Sequence, residues 1–507
     1  MTFIRKIKRG KYTYLAEVEN VWNEGKVKQK HIRYVGKEID GKRILSGSVE
    51  NSEVTRVAIY GPLLVLNELA KQINLHSILK EYAPEILSMV YSHCIDPRTL
   101  NKMEDWFSRT ELNRILNLDK LTERRLIDSM DSINNEDRND LLQETIFQSV
   151  NSKFNLLKNS FFYDITNIYF FGSKCNLAKR SKSKEGGYKR IVQIGLAVTD
   201  EGIPVFHKVF AGDVFDSRTL FDVMKTLSFA GIQIPYLIWD RGVSSGINIS
   251  DAKKLGFQVI CGLANKGHLP KEVDKVLELK NLISTKNRVQ LKKSSFYVSI
   301  RNYKCENVSG YLYICLNRKQ QVDLQEKRLG EIEEAKELIM EKKQVNDSFK
   351  KYFNRRMEIN EKKVIEESKY DGISIIFSTK KLLAREIIKK YFDKDVVEKA
   401  FSCLKGVIKM RPVWKRLKER VKAHVFICYL SYLLLSILNY KLEKNKLDMG
   451  AVEAMDKLET MYKIYLIDNN TKNEFVKTVA LTKPQEKILK AVNKKLIKPS
   501  VQKLRQT

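Results

Sequence analysis

The chain has 507 residues, and Lys plus Arg outnumber Asp plus Glu by 92 to 61, which gives a formal net charge of +31. Because 43% of the residues are apolar, a sizeable core can form, which argues against wholesale disorder. The length predicts roughly three to four domains. The charge predicts a polyanionic partner, with nucleic acid ahead of an anionic membrane surface.

The first 150 residues change character near residue 60. Residues 1–60 alternate in a strand-like way with many basic positions, which predicts a small basic β module. In residues 61–150 leucines recur at helical spacing, which predicts a helical domain and a candidate DNA-binding region.

From Phe161 the pattern predicts an α/β catalytic core. The predicted elements are the strands Phe161 to Phe171, Arg190 to Thr199 and Pro204 to Phe210, a helix Ser217 to Phe229, and the strands Tyr236 to Trp239 and Phe257 to Gly262. Three antiparallel strands, a helix and then buried parallel strands are the order of a ribonuclease-H-like core.

The core is interrupted and then resumes. Residues 155–264 form its first part, and residues 265–372 are interpreted as an insertion subdomain with two β stretches and a long charged helix. A strand Ile373 to Ser378 and two helices give the second part, residues 373–442. Residues 443–507 are interpreted as a basic, solvated helical region.

Neither a membrane span nor a zinc or disulfide framework is expected. The most apolar run, Val425 to Leu438, is shorter than the roughly 20 residues that a span needs, so it predicts a buried core helix and no membrane partner. The seven cysteines include no C-x-x-C pair. This usage favours a reducing cytoplasm.

Two aspartates occupy apolar strands. Asp164 lies inside one strand, and Asp240 ends another before Arg241. A carboxylate in such a place is costly unless it is paired or bound to a cation, and ligands of α/β sheets gather at the carboxyl ends of strands. The alternatives are a solvent-facing edge acid for Asp164 and a turn aspartate paired with Arg241 for Asp240.

The third acid is open to a purely structural interpretation. Glu398 follows Asp395 by three residues at a predicted helix start, and this spacing is that of a capping box. Glu366, Glu367 and Glu386 lie in the same part of the chain. The first two fall in a charged stretch, and Glu386 has basic neighbours within one turn, so surface roles suffice for them.

Taken together, the three carboxylates predict a metal site. Asp164, Asp240 and Glu398 offer oxygen ligands of the kind that Mg²⁺ (or Mn²⁺) prefers. Two such ions can activate an attacking oxygen and stabilise a leaving oxygen in phosphoryl transfer, and the basic surroundings suit a phosphodiester substrate.

A further spacing carries a resemblance. Tyr391, Lys394, Glu398 and Lys405 fit Y-x2-K-x3-E-x6-K, which resembles the YREK signature of DDE transposases of the insertion sequence 4 family, with Lys394 where Arg is usual. The branch typified by insertion sequence 1634 looks closest. The resemblance covers residues 160–440.

The resemblance implies roles and partners. Asp164, Asp240 and Glu398 match the catalytic triad, and Tyr391, Lys394 and Lys405 match residues that hold phosphates near the cleaved end. It implies binding of terminal inverted repeats in double-stranded DNA, cleavage, strand transfer to target DNA, and a homodimer when two ends are paired. The alternatives are a metal nuclease of the same fold that does not join, and a catalytically silent DNA-binding protein derived from a transposase.

Two basic stretches are candidate DNA contacts, with solvated loops as the alternative. The side chains that stand out are Lys179, Arg180, Lys182 and Lys184 in one stretch and Lys415 and Arg416 in the other. Some relatives excise through a DNA hairpin with an aromatic from the insertion on a flipped base. No tryptophan lies in the insertion here, so Phe296, Tyr303 or Tyr311 would have to stack instead.

Overall fold

The structure is a computed structural model. It describes residues 2–10, 12–23, 26–39, 42–45, 52–133, 136–156, 160–171, 174–184, 186–278, 282–291, 294–341, 347–354, 356–411, 413, 417–469, 474–497 and 501–503.

The strands are β1 (Thr2–Arg9), β2 (Tyr12–Asn23), β3 (Lys26–Ile39), β4 (Lys42–Leu45), β5 (Ser52–Ile59), β6 (Phe161–Tyr169), β7 (Lys179–Lys182), β8 (Tyr188–Thr199), β9 (Pro204–Ala211), β10 (Leu237–Trp239), β11 (Val259–Leu263), β12 (Arg288–Leu291), β13 (Ser294–Cys305), β14 (Val308–Asn317), β15 (Ile373–Ser378), β16 (Tyr462–Asp468), β17 (Glu474–Thr478) and β18 (Val501–Lys503).

The α-helices are α1 (Gly61–Gln72), α2 (Leu75–Leu79), α3 (Ala83–Ile95), α4 (Met103–Ser108), α5 (Leu112–Ile115), α6 (Glu123–Ser132), α7 (Glu136–Phe154), α8 (Asp216–Phe229), α9 (Gly246–Lys254), α10 (Leu269–Leu277), α11 (Arg318–Met340), α12 (Asp347–Lys350), α13 (Glu361–Ser368), α14 (Ala384–Phe392), α15 (Asp395–Gly406), α16 (Lys418–Lys444), α17 (Ala451–Glu459) and α18 (Lys483–Val492).

The chain forms two compact units. The first comprises residues 1–72, 81–127 and 437–507, and the second comprises residues 73–80 and 128–436. Both contain helices and strands, so the fold is mixed α/β. The helices expected between residues 61 and 150 are present as α1 to α7.

The first unit holds two four-stranded sheets. Strands β1 to β4 form a meander in chain order, and the other sheet has the order β18-β17-β16-β5. The C-terminal region, predicted to be helical, contains the helices α17 and α18 but also three strands, and β16 pairs with β5 from Tyr462–Ile59 to Asp468–Ser52. Its partner strand is more than 400 residues away in the sequence, so no local pattern reveals the pairing.

The second unit is built on a ten-stranded mixed sheet. The order is β12-β13-β14-β15-β11-β10-β6-β8-β7, and β9 also pairs with β8. At its centre β6, β10 and β11 run parallel. Their residues are mostly apolar and buried, and β6 also carries Asp164, Thr166 and Asn167. Helix α15 packs on β6 and β8, and α14 packs on β11 and β12.

The segment 265–372 is not a separate subdomain, which corrects the sequence interpretation. Its strands β13 and β14 continue the central sheet, because β14 pairs with β15 over Tyr311–Ser378 to Leu316–Ile373. Main-chain hydrogen bonding thereby joins the insertion to the core. The long charged helix is α11, which ends at Met340.

The apolar run near residue 430 is a core helix, as expected. Helix α16 (Lys418–Lys444) is the one helix among the described residues that is long and apolar enough to cross a membrane, and 89% of its most apolar stretch is buried inside the protein. Burial of this kind is typical of the central helix of a soluble protein.

Candidate active site

The strand register brings two of the predicted acids together. Strand β10 runs parallel to β6, with Ile238 beside Phe162 and Trp239 beside Tyr163. The next residue on each strand is an aspartate, so Asp240 and Asp164 are neighbours at the carboxyl end of β10. This is the edge where α/β sheets bind ligands.

One oxygen of Asp240 is fully engaged. Its Oδ1 accepts a hydrogen bond from the Tyr391 hydroxyl at 2.8 Å and from the Arg241 backbone N–H at 2.8 Å, and it lies 2.7 Å from Nζ of Lys394. No donor among the described residues bonds Oδ2. The carboxylate is thus fixed through one oxygen, and the other is available to a ligand.

The two carboxyl groups are perturbed in opposite directions. Burial raises the pKa of Asp164, and the nearby charge of Asp240 adds to this, whereas Lys184 opposes it. Burial would also raise the pKa of Asp240, but the hydrogen bond and charge of Lys394 with the Tyr391 hydroxyl hold it below its usual value. The two neighbouring carboxyl groups therefore differ in their environments, since Asp164 is the more deeply buried and Asp240 is held by Lys394 and Tyr391.

Lys184 reaches the site from the turn after β7. Its Nζ donates to the backbone carbonyl of Ile165, the residue after Asp164, and its charge acts on Asp164 and Asp216. This lysine, predicted as a possible DNA contact, is exposed and lies beside a candidate catalytic carboxylate.

A glycine that the sequence did not single out creates room for the Tyr391 contact. A Cβ atom on Gly262 would lie 2.2 Å from the Tyr391 hydroxyl oxygen and 3.0 Å from the backbone nitrogen of Arg241. Because Tyr391 is buried and bonded to Asp240, its hydroxyl cannot move away freely. Only glycine at this end of β11 permits the arrangement.

Glu398 is not part of a capping box, so that alternative was wrong. Helix α15 begins at Asp395, its N-cap residue is Lys394, and no side chain caps it. Glu398 is exposed in the first turn, next to Val397, which is buried in the core. No ion pair joins Glu398 to any residue that the structure describes, and no direct contact joins it to either aspartate.

The competing glutamates all have structural partners. The Glu386 carboxylate accepts from the backbone N–H of Leu383 and so caps α14. Glu366 pairs with Lys363 at 3.1 Å. Glu367 accepts from Lys351 at 2.7 Å and from the hydroxyl of Tyr352. Among these acids, Glu398 is the one without a structural role of this kind.

Two of the four signature residues contact Asp240. Tyr391 and Lys394, matched by resemblance to phosphate-holding residues, both bind its carboxylate. Lys405 lies half-buried one residue before the end of α15. A cavity of about 510 Å³ borders Asp240, Arg241, Tyr391 and Lys394, so Asp240 and the side chains that hold it are accessible to a ligand.

The structure describes some, but not all, of the basic residues that were predicted to contact DNA. Lys179, Arg180 and Lys182 are exposed on the edge strand β7. In the pairing of β7 with β8, Arg180 lies directly opposite Arg190. Lys415 and Arg416 lie outside the described residues.

The suggested stacking aromatics are poorly placed for the site. Tyr311 pairs with Ser378, and Ser378 pairs with Ile260, which places Tyr311 level with Ile238, two residues before Asp240 and three strands away from it. Tyr303 pairs with Gly310 and lies one residue farther back. Phe296 is at the correct edge but is 5% exposed and packs on Phe392, with ring centroids 4.9 Å apart.

No protein-family model matches the chain, and a search of curated proteins found no match. The chemistry of the site is therefore inferred from its own residues. These are two adjacent carboxylates at the carboxyl end of the parallel strands, with a lysine beside each.

Proposed function

We propose that this chain is a DDE transposase of the insertion sequence 4 family, closest to the insertion sequence 1634 branch. The observation that carries the proposal is the group formed by Asp164, Asp240, Tyr391 and Lys394. The spacing that resembles the family signature is a feature of the sequence alone, and two of its four residues bind one of the two strand aspartates.

The carboxylates fit divalent metal ions. Asp164 and Asp240 are oxygen donors on adjacent strands, one with a raised pKa and the other with Oδ2 unbonded by described residues. Burying two like charges together is costly unless a cation compensates. We infer that Asp164, Asp240 and Glu398 hold two Mg²⁺ or Mn²⁺ ions, which when bound would supply Lewis acidity and a nucleophile at neutral pH.

The protein's own cations complete the chemistry. Lys394 and the Tyr391 hydroxyl fix Asp240 in one orientation, and such support holds a ligand in place for catalysis. Lys184 supplies positive charge on the Asp164 side. With Lys405 on α15, these groups would attract the phosphates of a DNA end and stabilise the charge that develops on them.

The fold supports the assignment at the level of the core. Antiparallel strands β6, β8 and β9 lie beside the parallel strands β10 and β11, with α15 packed on β6. This arrangement is the one expected of a ribonuclease-H-like core interrupted by a segment that leaves after β11 and returns at β15.

DNA is the partner that the charge favours. The net charge is +31, and the edge strand β7 exposes Lys179, Arg180 and Lys182, cations of the kind that contact phosphates. We further propose that the enzyme acts in the bacterial cytoplasm as a homodimer that holds two transposon ends.

The test is an assay of the purified protein on duplexes that carry the ends of its own element, with Mg²⁺. The proposal predicts cleavage at the ends and joining of pre-cut 3′ ends to target DNA, both lost in Asp164→Asn and Asp240→Asn while end binding persists. Cleavage without joining would identify the nuclease alternative, and binding with neither reaction would identify the catalytically silent one.

A further inference from the structure

The hairpin of β2 and β3 extends beyond the rest of its sheet. The first residue of β1, Thr2, pairs with Glu19. Beyond that point the described residues pair only across the hairpin, as Asn20–Gln29, Val21–Lys28, Trp22–Val27 and Asn23–Lys26. We name the residues of these four pairs the distal ribbon.

The distal ribbon exposes apolar side chains on both faces. Trp22 is 74% exposed, Val27 52% and Val21 39%. A two-stranded hairpin is at best marginally stable in water by itself. Large apolar residues on such an element indicate an interaction surface rather than a structural core.

The amide pair Asn20–Gln29 and the lysine side chains of the distal ribbon lie on opposite faces. Because side chains alternate along a strand, Asn20 and Gln29 lie opposite one another on the same face as Trp22. Lys28 lies on the other face with Lys30, which pairs with Glu19. Arg5 also donates to the Gln29 amide oxygen at 2.5 Å, so a further cation is close to the amide pair.

We infer that the distal ribbon enters the major groove of duplex DNA. That groove is about 12 Å wide and accommodates a two-stranded ribbon. Lys28 and Lys30 would contact phosphates, which position a protein on DNA. Asn20 and Gln29 would face base edges, because amide side chains can bond adenine through both a donor and an acceptor.

The charge favours DNA over a protein occupant. Between residues 20 and 30 the sequence has three lysines, Lys26, Lys28 and Lys30, which are all exposed, against one acid, Glu24. This inference rests on the proposed function, since a transposase must recognise its ends, and it assigns that task to a surface well away in sequence from the catalytic residues.

The first test compares two matched double variants of the full-length protein. Lys28→Ala with Lys30→Ala removes two exposed cations at the distal ribbon. Lys8→Ala with Arg9→Ala removes two exposed cations from the same sheet, roughly 25 Å away along β2. Fluorescence anisotropy with a labelled random-sequence duplex of about 30 base pairs would report affinity across a salt series, and circular dichroism would report folding.

The distal variant is expected to bind about tenfold more weakly and to lower the salt slope by about two, whereas the control should change affinity less than twofold. Equal losses of DNA affinity in the two variants would overturn the inference, because they would mean that the overall positive charge of the sheet attracts DNA without a specific site at the distal ribbon. Asn20→Ala with Gln29→Ala should keep the salt slope but lose the preferred sequence that the wild type selects from a randomised duplex pool.

The remaining outcomes separate this inference from the proposed function. If the distal variants bind DNA like the wild type while the wild type cleaves its ends, the inference fails and the transposase assignment stands. If binding depends on the distal ribbon but Mg²⁺ gives no cleavage, the inference stands and the assignment fails. If Trp22→Ala dissociates a DNA-free dimer without changing DNA affinity, the surface is a protein interface and the inference is overturned.

Discussion

Nζ of Lys394 lies 2.7 Å from Oδ1 of Asp240, although the whole 265–372 segment separates the two residues in the chain. The contact joins the end of β10 to the start of α15. A lysine suits this contact, because its compact ammonium group can approach a single carboxylate oxygen. An arginine would instead present a planar guanidinium that binds carboxylates through two nitrogens.

Gly262→Ala tests how closely Tyr391 must approach. The added methyl would clash with the Tyr391 hydroxyl, so we expect a loss of about 1–3 kcal/mol in the free energy of unfolding and a fall in DNA cleavage.

Gly330→Ala is the matched control. Its methyl would meet nothing within 4 Å, and in the interior of α11 it should stabilise by roughly 0.5–1 kcal/mol. Urea unfolding and the cleavage assay measure both effects, and unchanged cleavage in Gly262→Ala would contradict this role for Tyr391.

Lys184→Ala tests whether this lysine acts at the site or only on DNA. Because its charge is beside Asp164, we expect end cleavage to fall on the order of tenfold or more. Lys182→Ala removes a cation from the same hairpin, exposed on β7. Both variants should lower the salt slope of DNA binding by at most about one. Equal cleavage rates for Lys184→Ala and Lys182→Ala would show that Lys184 does not act at the candidate active site.

Asp371→Ala tests the ion pair that holds α11 to the sheet. The guanidinium of Arg328 bonds both carboxylate oxygens of Asp371, at 2.6 and 2.7 Å, and the two side chains are 15% and 8% exposed. Removing one partner leaves a largely buried charge unpaired, so we expect a loss of about 3–5 kcal/mol. Lys327→Ala breaks an exposed pair with Glu331 on the same helix and should cost at most about 0.5 kcal/mol. Similar denaturation midpoints would refute the difference.

His207→Phe tests the effect of a buried imidazole on acid stability. Burial lowers the pKa of His207 from 6.5 to about 3, and its ring stacks on Tyr429 at 4.7 Å. Between these pH values the unfolded chain binds a proton that the folded chain does not, so stability falls as pH drops, by about 1.4 kcal/mol per pH unit. At pH 5 the wild type should have lost roughly 2 kcal/mol relative to pH 8 through this group. The variant should lack that part of the loss, and parallel pH profiles would contradict the assignment.

The sequence predicts the position of the aspartates well, because each interrupts or ends an apolar strand. It does not predict that Tyr391 and Lys394 bind Asp240, since this depends on how α14 and α15 pack against β11 and β6. Gly262 carries no local signal, because its constraint is a side chain distant in the sequence. Strand β16 was missed for a similar reason, since β5 completes its sheet from the other end of the chain.

The most direct test of the account is strand cleavage and joining by Glu398→Gln beside Glu386→Gln, in Mg²⁺ on the element's own ends. Glu398 has no structural partner among the described residues, whereas Glu386 caps α14. If three carboxylates hold the metal ions, Glu398→Gln will fold, bind the ends and neither cleave nor join, and Glu386→Gln will do both. Near wild-type cleavage by Glu398→Gln would show that the site does not need this acid and would contradict the DDE assignment.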